Sequence, residues 1–238
     1  MLKLSVITIN FNNAFGLEKT IKSVVEQSFD DFEFIIIDGG SSDSSVDIIK
    51  KYADKISLWI SEKDSGIFNA QNKGIEKANG EYCLFLNSGD CLVDKNVLKG
   101  VFENNFSKDI IYGDLATVDE TGKKIHLKMP DRLGVIHMLK DTLWHPVSFI
   151  KKEVFSNYGN YDETYKIVSD YEFFVRTVIA QKVSYKHLSI EIAIFDRTGV
   201  SSDKLKMSEL IQERKRVQNK YFNSFLLFLF RLYSKLRN

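Results

Sequence analysis

Four short apolar runs in the first 90 residues each end in a cluster of small polar and acidic residues, where the chain holds side chains able to do chemistry. The clusters span Thr8 to Asn12, Asp38 to Asp43, Glu62 to Gly66 and Asn87 to Asp90. The first lacks the G-x-G-x-x-G spacing that lets backbone close on a pyrophosphate, and there is no P-loop. A phosphate held here must be neutralised in another way. Asp90 offers one, because it follows an apolar run and a Ser-Gly turn. Mg2+ or Mn2+ typically takes one or two carboxylates and fills its remaining positions with substrate phosphate and water. The plainer role for the same residue is an aspartate in a turn. Cys83, Cys91 and the histidines His126, His137, His145 and His187 show no metal-type spacing.

These clusters must be positioned by the elements around them. Leu4–Ile9, Phe32–Ile37, Ile56–Ile60 and Tyr82–Leu86 read as strands. Between them, Leu17, Ile21, Val24 and Val25, then Val46, Ile49 and Tyr52, then Ile67 to Ala78 recur at helical spacing. Strand–helix alternation with uninterrupted apolar strands predicts a parallel sheet covered by helices on both faces. In such sheets ligands sit beyond the carboxyl ends of the strands, so the four clusters converge on one edge.

The later chain is less regular. Ile110–Tyr112 and Lys124–Met129 read as strands around a turn at Thr121-Gly122, Gly134–Lys140 as helix and Val147–Ile150 as strand. Ser169–Ile179 reads as helix, Val183–His187 and Ile190–Phe195 as a strand pair, and Glu209–Arg237 as one final helix. No repeat of 20–50 residues is visible.

With 238 residues, 44% hydrophobic and 27% charged, the chain is globular in composition rather than disordered. Its net charge of +1 hides an asymmetry: residues 201–238 carry nine Lys/Arg and three Asp/Glu, leaving the rest net negative. A general nucleic-acid binder would not place negative charge on its main body. Two cysteines are no disulfide framework, and a reducing compartment is the default. The opening MLKLSVITINF lacks the pattern of a signal peptide. No run reaches the ~18 apolar residues of a membrane span. The expected location is cytoplasmic, at most peripheral to the inner face of the cell membrane.

The motifs resemble glycosyltransferase family 2, inverting enzymes with the GT-A fold. SVITINFNN is similar to the family's first strand and nucleotide loop, and FIIIDGGSSDSS to its second strand with a base-binding aspartate. EKDSGIFNAQNKGIEKANGEY follows the family's E-x-D-x-G-x-x-x-A-x-N-x-G segment. FLNSGD stands in place of its Asp-x-Asp region, and VSDYEFFVR in place of its acidic catalytic motif. The resemblance implies an α/β GT-A architecture: a Rossmann-like, mostly parallel sheet flanked by helices, a smaller mixed acceptor-side region and a C-terminal amphipathic helix. Residues 1–105 would form the nucleotide-sugar half, 106–205 the acceptor-side catalytic half of the same domain, and 206–238 a helical tail.

The residues carried over are Thr8, Asn10, Asp38, Asp64 and Ser88 for the nucleotide sugar, with Asp38 accepting from a uracil-type base. Asp90 would hold Mg2+ or Mn2+, and Asp170 would act as general base, where its plainer role is a helix cap. His145 and Arg197 are candidates for the acceptor or phosphate. Two positions depart from the family: Gly89 stands where an acidic residue is common, and Ser169 where Glu precedes the catalytic Asp. The implied reaction transfers a sugar from a nucleotide-diphosphate donor, UDP-sugar favoured, to a glycan or lipid-linked saccharide in polysaccharide, lipopolysaccharide or capsule synthesis. Rival readings are a sugar nucleotidyltransferase, whose glycine-rich basic loop is missing, and a non-catalytic nucleotide-sugar- or glycan-binding relative. Phe222, Phe225, Leu229, Leu232 and Leu236 share one helical face opposite Lys220, Arg231 and Lys235. That pattern reads as an interfacial membrane helix, or else as one docked on the core or on another subunit.

Overall fold

The computed structural model describes residues 2–103, 107–118, 121–196 and 204–235. Strands β1 (Leu4–Asn10), β2 (Phe32–Asp38), β3 (Leu58–Ser61) and β4 (Tyr82–Phe85) are parallel, in the order β3-β2-β1-β4. Helices α1 (Ala14–Val25), α2 (Ser45–Lys51) and α3 (Ile67–Lys77) connect them. The sheet continues through β8 (Ser148–Lys151), β6 (Ile110–Val118), β9 (Tyr185–Phe195) and β5 (Cys91–Leu92), and β7 (Lys124–Leu127) pairs with β6. One mixed sheet therefore carries both halves of the chain.

Successive side chains of β1 and β2 point to opposite faces, and both faces carry apolar residues because helices cover each of them. Leu4, Val6, Phe34, Ile36 and Leu84 pack under α1, α2 and α4 (Val97–Phe102). Ile7, Ile9, Ile35, Ile37 and Phe85 face the opposite way. They pack against α3, α5 (Val135–Lys140), α6 (Lys152–Tyr158), α7 (Ser169–Phe174) and α8 (Met207–Tyr221). Gly74 lets α3 lie close on β1: a Cβ there would meet Ile7 Cγ2 at 2.4 Å.

Two expectations are corrected. The region read as a strand pair, Val183–His187 and Ile190–Phe195, is the single strand β9. Its pairing with β6 shifts register between Tyr112 and Leu115, so the break in apolar pattern marks an irregularity and not a turn. The final helix is two helices, α8 and α9 (Ser224–Lys235). Phe222 is extended (φ −112°, ψ 144°), and Asn223 Oδ1 accepts from Phe225 N at 2.8 Å, starting the second helix.

Within residues 206–238, α8 packs on the core. On α8, Val217 is fully buried, and Glu213 accepts the backbone N–H groups of Lys166, Ile167 and Val168 at 2.6, 2.9 and 3.1 Å. Buried Glu172 binds Arg176 and Lys220, each at 3.1 Å, and the Tyr221 hydroxyl. These contacts tie α8 to α7. Helix α9 leaves an apolar face open, with Phe225, Phe228, Leu229, Leu232 and Tyr233 exposed while Leu227 packs inward. No helix among the described residues is long and apolar enough to cross a membrane.

Candidate active site

Strand order reverses between β1 and β4, and a crevice opens beyond their carboxyl ends, as in other open α/β sheets. A cleft of 670 Å³ lies there. Asn10, Phe11, Asp64, Gln71, Asn87, Ser88, Asp90, His145, Asp170, Asp196 and Arg214 are among its lining residues.

The nucleotide-side residues are aligned by sheet register. Asn10 pairs with Asp38, and Asp38 with Ser61, across three parallel strands. Asp38 Oδ1 accepts from Asn10 Nδ2 (2.8 Å) and Ser41 Oγ (2.6 Å), while Oδ2 accepts from Ser41 N (3.0 Å) and Ser61 Oγ (2.7 Å). Burial raises this carboxyl, but the donors outweigh it and hold it below the usual carboxylate range. Asp38 is fully buried and does not line the cleft, and neither does Thr8. The carboxylate is saturated from behind. What reaches the cleft is Asn10, whose Oδ1 is buried with no hydrogen-bond partner among the described residues.

Phe11, absent from the expected set, stands 64% exposed at the same end of the cleft. A Cβ on Gly39 would meet Asp64 Oδ2 at 2.5 Å and Phe11 Cδ2 at 3.3 Å, so these three crowd together. Asp64 Oδ1 also accepts from Gly66 N at 3.0 Å, which shapes the turn into α3. An aromatic ring exposed in the first polar cluster was the signal available in the sequence for Phe11.

The turn Asn87–Asp90 is pinned by Thr20, whose hydroxyl accepts from Gly89 N (2.9 Å) and donates to Asp90 O (2.7 Å). Ser88 is held through its carbonyl by Asn13 Nδ2 at 3.0 Å. Asp90 is 2% exposed. Its Oδ1 accepts from Asp196 N at 2.8 Å, and its Oδ2 has no hydrogen-bond partner among the described residues. Burial pushes its carboxyl up to about 6; the Asp196 N–H lowers it, and the Asp196 charge raises it. Among the described residues no three His, Cys or acidic side chains form a ready ion cage. A buried, unpartnered carboxylate oxygen on a residue lining the cleft nevertheless fits a hard cation that draws its other ligands from phosphate and water.

Asp196, also missed, ends β9 as the other polar clusters end their strands. Gly89 has φ +110°, and a Cβ there would meet Asp196 Oδ2 at 2.4 Å. The space of the acidic group absent at position 89 is thus taken by the Asp196 carboxylate, just after β9. Across the cleft, Asp170 begins α7, and its Oδ1 accepts from Tyr171 N at 2.7 Å. Its Oδ2 lies 3.3 Å from His145 Nδ1. His145 Nε2 lies 3.0 Å from Asn87 Nδ2 and 3.9 Å from Asp90 Oδ2, so His145 bridges the two aspartates. Ser169 is buried and its hydroxyl unpartnered among the described residues. Arg197 lies outside the described residues. Arg214, which no local pattern marks, brings α8 to the cleft and stacks 4.1 Å over the Tyr171 ring.

Comparison with known proteins agrees with this geometry. The family model described as glycosyl transferase family 2 matches residues 5–151. An uncharacterized glycosyltransferase of Mycobacterium tuberculosis is 32% identical over 208 residues, covering 84% of this chain and 77% of that protein. A PGL/p-HBAD biosynthesis glycosyltransferase of the same organism is 26% identical over 217 residues, covering 87% and 82%. Among solved structures, S. aureus TarS 1–349 in complex with UDP-GlcNAc superposes with a TM-score of 0.70 at 21% identity. It is matched over 85% of this chain, which spans 61% of the TarS chain. A mixed sheet with its cleft at the β1/β4 reversal, and motifs in family order along its rim, agree with the sequence match over more than half the chain: the protein is a glycosyltransferase and belongs to glycosyl transferase family 2.

Proposed function

We propose that the protein is an inverting, divalent-metal-assisted transferase that moves a sugar from a nucleoside-diphosphate sugar, UDP-sugar favoured, to a hydroxyl of a glycan or lipid-linked saccharide. The carrying observation is that Asp90, with its buried and unpartnered Oδ2, and Asp170 line one cleft. Phe11 would stack on the base, with Asn10 Oδ1 taking a base N–H and Asp38 fixing Asn10 from behind. TarS, solved with UDP-GlcNAc, supports the choice of uridine. Asp90 would hold Mg2+ or Mn2+, which when bound stabilises negative charge on the leaving diphosphate. Asp170 accepts the proton of the attacking hydroxyl, a contribution of about 10²–10⁴-fold. A single displacement with one base inverts the anomeric centre.

The test measures UDP release and product formation from candidate UDP-sugars with Mn2+. Asp170→Asn should cut turnover by about 10²–10⁴-fold while UDP affinity stays within a few-fold of wild type. Turnover preserved in that variant removes Asp170 from the role of base.

We propose further that the open face of α9 rests on an anionic membrane surface, where a lipid-linked acceptor would be presented. Its exposed aromatic and leucine side chains and the excess of basic residues in 201–238 support this.

A further inference from the structure

Both ring nitrogens of His145 have partners, and the order of those partners dictates the tautomer. Gln71 is 1% exposed, and its Nε2 donates to Asn87 Oδ1 at 3.2 Å. With Oδ1 accepting, Asn87 turns its Nδ2 to His145 Nε2 at 3.0 Å. A carboxamide N–H only donates, so Nε2 must be the bare, accepting nitrogen. A neutral imidazole then carries its proton on Nδ1, the atom 3.3 Å from Asp170 Oδ2. The chain runs in one direction, from Gln71 through Asn87 and His145 to Asp170.

We propose that His145 is a positioning residue for the transfer reaction: locked as the Nδ1–H tautomer by Asn87 and Gln71, it donates to Asp170 Oδ2 and fixes that carboxylate towards the acceptor hydroxyl. This rests on Asp170 being the base. The donor is a neutral N–H, which orients the carboxylate without setting a full positive charge against it. Tyr171 N holds the other oxygen, so the carboxylate is gripped at both ends. The loop bearing Asn87 also bears Asp90, so the donor side and the base are joined through one imidazole.

Replacement by the two carboxamides tests the assignment. Asparagine places its amide nitrogen where Nδ1 stood and keeps a donor to Asp170. Glutamine reaches the Nε2 position instead. With UDP-GlcNAc or whichever UDP-sugar turns over, His145→Gln and His145→Ala should lose about 10–100-fold in kcat, the range of lost supporting hydrogen bonds. The donor KM and the Mn2+ half-saturation should hold, and His145→Asn should recover most of kcat. The reverse order, with His145→Gln active, His145→Asn inactive and Mn2+ dependence altered, overturns the proposal and makes Nε2 a metal ligand. A measurement on the unaltered protein is independent of folding effects: ¹⁵N shifts of the His145 ring should show Nδ1 protonated and Nε2 bare. The opposite pattern overturns the proposal. If Asp170→Asn stays active the reading of the base has failed; if it is inactive while His145→Gln is not, only the positioning role has.

Discussion

Asp90 is costly to the fold. Its carboxyl titrates near 6 in the folded protein because burial disfavours its charge, against 3.8 as the ordinary value. A carboxyl whose pKa is raised by folding destabilises the protein where it must be ionised. The penalty is absent below pH ~4, grows as pH rises through about 6 and is then complete. Two units correspond to about 3 kcal/mol. Asp90→Asn should therefore make the metal-free protein more stable at pH 7.5, by up to about 3 kcal/mol, with the gain vanishing near pH 4. Urea unfolding across that range checks it, and the variant should lose the response of its stability to Mn2+. Its neighbour Gly89 behaves in the opposite sense. Because φ is +110° and a Cβ would strike Asp196, Gly89→Asp should cost at least about 1–3 kcal/mol and lower activity, although it installs the acidic residue common in the family. A melting temperature at or above wild type would refute this.

At the scale of elements, Asp170 is set by a helix far along the chain. Three successive N–H groups before α7 are free of helix partners, and Glu213 on α8 accepts all of them. The segment they brace leads directly into Ser169 and Asp170. Glu213→Ala leaves those donors without their acceptor and should cost about 1–3 kcal/mol in urea unfolding. It should also lower kcat, because Asp170 loses its fixed approach. Unchanged stability would mean that water replaces the carboxylate at no cost. Glu172, bound by Arg176, Lys220 and Tyr221, makes the second clasp between α7 and α8. For this reason α8 is fastened to α7 and the segment before it, whereas the amphipathic pattern of α9 remains available to a surface.

Taken whole, the molecule presents α9 beside one wall of the cleft: Lys140, just before cleft residue Asp141, lies 5.7 Å from the Tyr233 ring. A protein resting on that face would turn the far end of its cleft towards lipid. Phe228→Glu with Leu232→Glu should leave the fold and the turnover of a soluble acceptor intact, since both side chains are exposed. It should abolish sedimentation with vesicles containing anionic lipid, which for the unaltered chain should weaken with added salt. Equal sedimentation of both proteins would separate α9 from membrane binding.

The parallel half, its two helix layers and the edge where polar residues gather were determined by sequence alone. Those features follow from local signals: pleat alternation in β1 and β2, helical spacing in α1 to α3, and turn residues at strand ends. Asp90, Ser88, Asn10 and Asp64 were legible as lining residues for the same reason, and Asp170 and His145 through the resemblance of their motifs to the family. The tertiary structure alone decided which atoms remain open. It closed Asp38 behind four donors and left Asn10 Oδ1 unpartnered, set Asp196 against Gly89, and linked His145 to Asp170. It also drew α8 into the core. These outcomes depend on hydrogen bonds between residues far apart in the chain, 58 positions for Asn87 and His145 and 106 for Asp90 and Asp196. No local pattern records such partners, because they are chosen by which buried polar groups find each other once the sheet has brought their strands together.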